Sequence, residues 1–432
     1  MKKVRIALMG LGNVGTGVWT ILNSNKKEIM KRSGYEVEVA KILVRDRDKQ
    51  RDVEVPDEIV TTDFSDILED DSIKIVVEVM GGINPAREYM LKCMDRKKHI
   101  VTANKMLLAT GGDELFEKAD SKGVMFNYEA SVAGGIPIIS GIDESLTANK
   151  IEELYGIVNG TTNYILTKMQ LEKLDFDVAL KQAQDMGYAE ADPTSDIEGF
   201  DAQYKLAILS SLAFGTKINV DNVYREGITK IKSIDIRYAK KFDMVIKLLA
   251  IAKESEGKLE LKVHPTMIPE AHPLANVYDS FNAIFIKGNA VGDLMFYGRG
   301  AGSLPTGSAV VSDIIAILRS NVDIENFNSV VKNNLWHREI KNIKDCASKF
   351  YIRLSVMDQS GVLGEITTIL GKHNVSLRSV VQRGKEDSKD KVTIVLITHK
   401  IEEERINSAI REIVDLKSVM QIDNIIRIED FK

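Results

Sequence analysis

Cysteine is nearly absent from this 432-residue chain: there are two, Cys93 and Cys346, far apart and in unrelated contexts. Such a pair supports neither a disulfide framework nor a thiolate metal site. The six histidines are scattered, without the spacing of a zinc site. No uninterrupted apolar run is long enough to cross a bilayer. The first residues, MKKVRIALMG, run straight into a short apolar strand and then glycines, where a signal peptide needs a longer apolar stretch and a cleavage site. Positive charge is not in excess either. The net charge of -5 and pI near 5.9 argue against nucleic acid or an anionic membrane as partner. Internal repeats and low-complexity tracts are lacking too. The expectation left by these exclusions is a soluble, cytoplasmic protein.

With 44% hydrophobic residues, the chain is too long for one ordinary core, and two or three domains are expected. The first third alternates short apolar strands (Val4–Met9, Val37–Val44, Ile75–Val79, His99–Thr102, Val124–Tyr128) with amphipathic helical patterns such as PAREYMLKCMDRKK. That alternation indicates a parallel α/β sheet over residues 1–141. From about Ile142 to residue 304 the pattern becomes α+β. KIEELYGIV, KLELKVHPTMI and FNAIFIKGN read as strands, and IRYAKKFDMVIKLLAIAKES reads as one long helix. A glycine-rich passage then opens a helix over 305–321, which is expected to complete the first domain. Residues 322–349 are polar and asparagine-rich, consistent with a linker, and residues 350–432 read β-α-β-β-α-β.

Gly10-Leu11-Gly12-Asn13-Val14-Gly15 follows the first strand and opens a helix. In that order, glycines let the backbone approach a pyrophosphate and the helix N-terminus faces its charge. At the end of the second strand an Asp or Glu would bind the ribose 2′-hydroxyl of NAD, whereas an Arg accommodates the 2′-phosphate of NADP. Arg45 comes first there, which favours NADP. Asp46 leaves NAD possible, and Arg47 and Lys49 are equally consistent with a solvated turn.

The segment GYAEADPTSDIEGFDAQYK carries five carboxylates (Glu190, Asp192, Asp196, Glu198, Asp201) and then Lys205, at the start of an apolar helix. Asp201 and Lys205 are four apart and share one helix face. Spacing alone would make them an ordinary surface ion pair, which is common and weak.

Seven stretches together resemble homoserine dehydrogenases: GLGNVGTGV, EVMGG, VTANK, NYEASVAGGIP, NGTTNY, GYAEADPTSDIEGFDAQYK and GRGAGSLPTGSAVVSD. The set is specific, although no single motif decides it. The C-terminal portion resembles an ACT domain, a module that binds amino-acid effectors. The implied fold has an N-terminal Rossmann-like parallel sheet, an α+β substrate and dimerisation domain, and a βαββαβ ACT domain. The implied reaction is the reversible NAD(P)H-dependent reduction of L-aspartate 4-semialdehyde to L-homoserine, in threonine and methionine biosynthesis.

By that resemblance, Glu190 binds the substrate amino group, and Asp196 and Asp201 complete a polar pocket. Gly160 and Thr161 touch the substrate, and Lys205 donates the proton to the reacting oxygen. Lys105 lies at the nicotinamide as a second acid–base candidate, with a depressed pKa because like charges disfavour its charged form. Gly187 and Gly302 approach the cofactor. Backbone carbonyls of Glu129, Val132, Gly134 and Ile136 would hold a sodium ion, since carbonyl oxygens suit hard cations. Asp358, Gly361, Val362, Leu363 and Asn374 would bind an effector, with threonine expected as feedback inhibitor. For Asp192 and Glu198 the reading is capping or solvated charge. A homo-oligomer, dimer or tetramer, is expected. The alternatives are a dehydrogenase for a related amino-acid aldehyde, or a non-catalytic sensor of NADP and an amino acid.

Overall fold

The computed structural model describes residues 2–320, 338–384 and 391–431. Residues 322–337 of the stretch expected as a linker lie outside the described residues. The chain divides into two compact units. The first comprises Met1–Ile151, Tyr204–Asp221 and Asn282–His337; the second comprises Glu152–Gln203, Asn222–Phe281 and Arg338–Lys432.

The first unit is built on a six-stranded parallel sheet. Its order is Val60–Thr61, Tyr35–Leu43, Lys2–Met9, Ile73–Glu78, His99–Thr102, Phe126–Asn127. The strands are short apolar runs because helices cover both faces. Successive residues of the first strand serve opposite faces. Ile6 and Leu8 join Val18, Leu22, Val310 and Ile314 in one core, and Ala7 and Met9 join Met90, Met94 and Leu115 in the other. The order reverses between Lys2–Met9 and Ile73–Glu78, the switch point where open α/β sheets bind ligands at their carboxyl ends.

The helix Ser303–Arg319 reaches this core from far along the sequence. It packs on the helix Asn13–Ser24 so closely that a Cβ on Gly17 would stand 2.0 Å from the Ser303 carbonyl oxygen. The Ser303 hydroxyl also donates to the carbonyl of Asn13 at 2.7 Å. The late helix is thereby tied to the glycine loop.

In the second unit, the strands run in the order Ile151–Ile157, Met244–Ser255, Lys258–Pro269, Val419–Ile428, Ala347–Met357, Lys391–Thr398, Leu377–Gly384. The long helix read over IRYAKKFDMVIKLLAIAKES is corrected here. A helix covers only Ser233–Lys241, and Met244–Ser255 is a strand. Asp243 takes a left-handed φ of 56° that ends the helix, and VIKLLAIA is apolar on both faces, so it has no helical period to keep. Glu256 and Gly257 then both adopt positive φ, 54° and 77°, the conformation of a two-residue hairpin turn. Met244–Ser255 and Lys258–Pro269 accordingly pair antiparallel along their whole length.

The last 80 or so residues form the expected βαββαβ module, with the helices Val362–Lys372 and Glu403–Val414 covering one core. Its final strand also pairs in parallel with Lys258–Pro269, through Thr266 with Arg427 and Met267 with Ile428. The Asp235 carboxylate is fully buried. It accepts hydrogen bonds from Tyr351 (3.0 Å), from Arg353 Nε and Nη2 (2.7 and 3.2 Å) and from Asn424 (2.9 Å). Among the described residues no helix is long and apolar enough to cross a membrane.

Candidate active site

In the first unit, the glycines of the loop after the first strand meet different demands. Gly10 has φ +112°, and a Cβ there would lie 2.8 Å from the Val79 carbonyl oxygen. At Gly12, the N-cap of the helix Asn13–Ser24, a Cβ would meet nothing within 4 Å. The loop is thus tight on its protein side and open on the other, at a helix start whose first N–H groups have no intrahelical partner. A nucleotide pyrophosphate suits that cradle. Leu11 and Gly15 are buried beneath it, and Asn13 and Val14 begin the helix.

Arg45, just past the end of the strand Tyr35–Leu43, is exposed and makes no side-chain hydrogen bond or ion pair among the described residues. Its neighbours are engaged in the loop itself. Arg47 donates to the carbonyl of Asp57 at 3.0 Å, and Asp46 accepts from the backbone of Asp48 at 2.9 Å.

Lys105 is half-buried and opens the helix Lys105–Lys122, whose N-cap is Asn104. Its position rests on residues that sequence reasoning missed. Glu78, fully buried at the end of its strand, accepts from the backbone N–H of Met80 (2.8 Å) and Gly81 (3.2 Å) and from the hydroxyl of Thr102 (2.7 Å). Thr102 in turn receives the N–H of Asn104 at 3.1 Å, and the Asn104 amide donates to Gly82 at 2.6 Å. Burial pushes the Glu78 carboxyl above its ordinary range. The EVMGG and VTANK motifs, which share no sequence neighbourhood, are one hydrogen-bonded cluster.

The backbone carbonyls of Glu129, Val132, Gly134 and Ile136 lie on one buried turn of the first unit. The Glu129 carboxylate accepts the N–H groups of Ile139 and Ser140, both at 2.8 Å, and the Glu129 N–H donates to Asp313 at 2.9 Å. Burial, and then the charge of Glu129, push the Asp313 carboxyl well above its ordinary value. Among the described residues neither acid forms an ion pair. A monovalent cation on these carbonyls would favour the charged form of these buried acids. Among the described residues no group of three or more His, Cys, Asp or Glu side chains could hold a metal ion.

In the second unit, Asn159 caps the helix Gly160–Leu171. Its amide nitrogen donates to Asp196 at 2.7 Å and to Asp201 at 2.8 Å. Thr161 Oγ1 lies 3.0 Å from the other oxygen of Asp196 and 2.6 Å from the carbonyl of Tyr188. Thr161, Asp196 and Asp201 are therefore one polar cluster around Asn159, a residue not singled out as a site from sequence. Gly160 packs against the Ser280 carbonyl, where a Cβ would stand at 2.9 Å.

Asp201 and Lys205 lie on the helix Phe200–Phe214 and are only 3% and 7% exposed. They are not the solvated surface pair that spacing alone suggests. Glu190 is exposed, and its backbone carbonyl accepts from Gln184 at 3.1 Å. Asp192 precedes the short helix Thr194–Ile197, whose N-cap is Pro193, and accepts from the hydroxyl and backbone N–H of Thr194, which hold its carboxyl below the ordinary range. Glu198 accepts from the Thr229 hydroxyl at 3.2 Å. Gly187 lies in an exposed turn with φ +74°, whereas Gly302, φ +123°, is the N-cap of the helix tied to the glycine loop.

The C-terminal module holds a cavity of about 390 Å³, lined among others by Asp358, Ser360, Gly361, Val362, Leu363 and Gln382. Gly361, at φ +94°, caps the helix Val362–Lys372 without a side-chain hydrogen bond. Asn374 does not line this cavity. It has φ +58° and lies in the turn just past the other end of the same helix.

Three family models match the chain. One described as homoserine dehydrogenase, NAD binding domain, covers residues 10–129. One described as homoserine dehydrogenase covers 137–315, and one described as ACT domain covers 350–418. The homoserine dehydrogenase of Synechocystis sp. is 43% identical over 435 residues, spanning 98% of this chain and 99% of that protein. A crystal structure of a homoserine dehydrogenase from Thiobacillus denitrificans superposes with a TM-score of 0.93 at 43% identity, covering 100% of this chain and 99% of the other. A hyperthermophilic archaeal homoserine dehydrogenase in complex with NADPH matches with a TM-score of 0.61 at 29% identity, over 73% of this chain and 97% of the other.

Proposed function

The chain belongs to the homoserine dehydrogenase family, and from that premise we propose that Lys205 is its acid–base group, that Glu190, Asp196, Asp201, Gly160 and Thr161 hold the substrate, and that NADP is the preferred coenzyme. The reaction is the oxidoreduction that interconverts L-aspartate 4-semialdehyde and L-homoserine. The observation that carries the proposed roles is the burial of Asp201 and Lys205, one turn apart on the helix Phe200–Phe214.

The glycine loop Gly10–Gly15 and Arg45 would hold NADPH, which when bound would supply the hydride for the aldehyde carbon. Negative charge then develops on the reacting oxygen. The Lys205 ammonium stabilises that charge and transfers its proton to the oxygen; in the oxidising direction the neutral amine removes it. A buried setting strengthens both effects, because water no longer screens them. The substrate ammonium is the cation that makes buried carboxylates tolerable. Asp196 and Asp201 supply that negative charge from fixed positions, and Glu190 supplies it from an exposed one. Lys105, held by the Glu78–Thr102–Asn104 cluster, is the second candidate for proton transfer.

NADP preference rests on Arg45, exposed and uncommitted where a 2′-phosphate would lie, and on the archaeal relative's NADPH complex. The cation reading rests on the buried acids beside the carbonyls of Glu129, Val132, Gly134 and Ile136. For the cavity of the ACT module, a carboxylate at Asp358 suits an ammonium, and the capless helix start at Gly361 suits a carboxylate. A small amino acid such as threonine matches both ends. Exposed Met295 and Tyr297 on the strand Gly292–Arg299, and Val380 and Met420 on the ACT sheet, support a homo-oligomer. We place the enzyme in the cytoplasm.

Lys205→Ala tests the central role. Turnover is expected to fall roughly a hundred- to ten-thousandfold, the usual contribution of a positioned acid–base group, while NADPH affinity measured by fluorescence titration stays near wild type. Weakened NADPH binding with residual turnover would instead place Lys205 at the coenzyme.

A further inference from the structure

We infer that Asn159 is a positioning residue for the reaction: its amide bridges Asp196 and Asp201 and keeps both carboxylates charged and correctly aimed at the substrate. The inference rests on the substrate-binding role proposed for those two acids.

Two carboxylates close enough to share one amide group repel, and like charges at that range push one of them towards its protonated form. Asn159 Nδ2 carries two hydrogens. One goes to Asp196 at 2.7 Å and the other to Asp201 at 2.8 Å. A donor to each carboxylate favours its charged form and offsets part of the repulsion. The amide orientation is fixed by its other end: Asn159 Oδ1 accepts the backbone N–H of Thr162 at 2.9 Å and lies 2.9 Å from the Thr162 hydroxyl. Reversing the amide would set its oxygen against two acids and its nitrogen against an N–H. Only one orientation satisfies the network.

The residue is also held from behind. Four residues on, Asn163 donates to the carbonyls of Val277, Asp279 and Phe281, at 3.1, 2.9 and 3.1 Å, and accepts from Lys247 at 3.2 Å. This clamps the first turn of the Gly160–Leu171 helix to one loop. The position of the Asn159 amide is therefore set by backbone that has no reason to move with the substrate.

A plain helix cap is the competing account, and the two ends of the side chain separate them. Capping uses only Oδ1, a task serine performs as well. The nitrogen contributes nothing to the cap and everything to the acids. Asn159→Ser keeps a capping oxygen and deletes the donor. Asn159→Asp keeps the shape and sets a third carboxylate oxygen against two others.

The test measures kcat/KM for L-homoserine with NADP against pH, alongside thermal melts and NADPH affinity. For Asn159→Ser we expect a melting temperature near wild type and unchanged NADPH affinity. We expect kcat/KM to drop about ten- to a hundredfold, the worth of a hydrogen bond to a charged group. The acid limb of the pH profile should move to higher pH, since each carboxylate loses one donor that favours ionisation. Asn159→Asp should move it further. A wild-type profile in Asn159→Ser, or activity lost only in proportion to folded protein with an unshifted acid limb, would overturn the inference. Asp201→Asn is the companion variant. If it is crippled while Asn159→Ser is normal, the positioning role alone fails; if it keeps full turnover, the site assignment fails and takes this inference with it.

Discussion

Single residues in this protein are set by what surrounds them more than by their own chemistry, and Lys247 shows it most sharply. It lies in the middle of the strand Met244–Ser255, fully buried, donating to Asn163 Oδ1 at 3.2 Å and to the Val277 carbonyl at 2.5 Å. Burial pulls its ammonium from the ordinary lysine value of 10.5 down to about 7. A folded pKa below the unfolded one means that, between the two, the unfolded chain binds the proton and the folded chain does not. Stability should therefore rise with pH from about 7 to about 10, and below that window the full penalty stands. Lys247→Met has no such proton. Denaturant titrations of the two proteins across that range should show wild type gaining on the variant by up to several kcal/mol. Parallel stability curves would mean that the lysine is charged in the fold throughout. Nothing in VIKLLAIA marks that lysine as buried, because its partners lie 84 residues earlier, at Asn163, and 30 residues later, at Val277.

At the scale of elements, the C-terminal module is not a loose attachment. Its last strand extends the sheet of the second unit, and Arg353 on its first strand donates two hydrogen bonds to buried Asp235. Arg353→Met keeps bulk but removes the cation. It should cost about 3–5 kcal/mol in denaturant unfolding, as for other buried pairs deprived of one partner. A cost under 1 kcal/mol would show that Tyr351 and Asn424 alone satisfy Asp235.

The same scale shows what sequence patterns convey. The parallel sheet was legible because strands such as Lys2–Met9 and Ile73–Glu78 are short runs rich in apolar residues, each followed by an amphipathic helix. The βαββαβ order was legible for the same reason. The helix drawn through VIKLLAIA failed because an apolar run without a period fits a buried strand equally well; the deciding signal, Glu256-Gly257 as a hairpin turn, stands at its far end. The two-residue strands Val60–Thr61 and Tyr224–Arg225 have too few residues to form a pattern.

For the whole molecule, contiguous motifs announced themselves and the contacts between motifs did not. The glycine loop, the VTANK lysine and the acidic segment each concentrate their chemistry within a few residues, and the family resemblance rests on them. Glu78 with Thr102, Asn159 with Asp201, and Asp235 with Arg353 are separated by 24, 42 and 118 residues. Such pairs exist only once the chain is folded, so no local spacing encodes them. They are also what fixes the groups that the motifs supply. The protein is a homoserine dehydrogenase, and its preference for NADP is the proposal. It is tested most directly by following the near-ultraviolet absorbance of reduced nicotinamide when purified protein meets L-homoserine with NADP or with NAD. A rise that requires homoserine, and is faster with NADP, is the predicted result. No rise with either coenzyme, from protein shown to be folded by its thermal melt, would contradict the account.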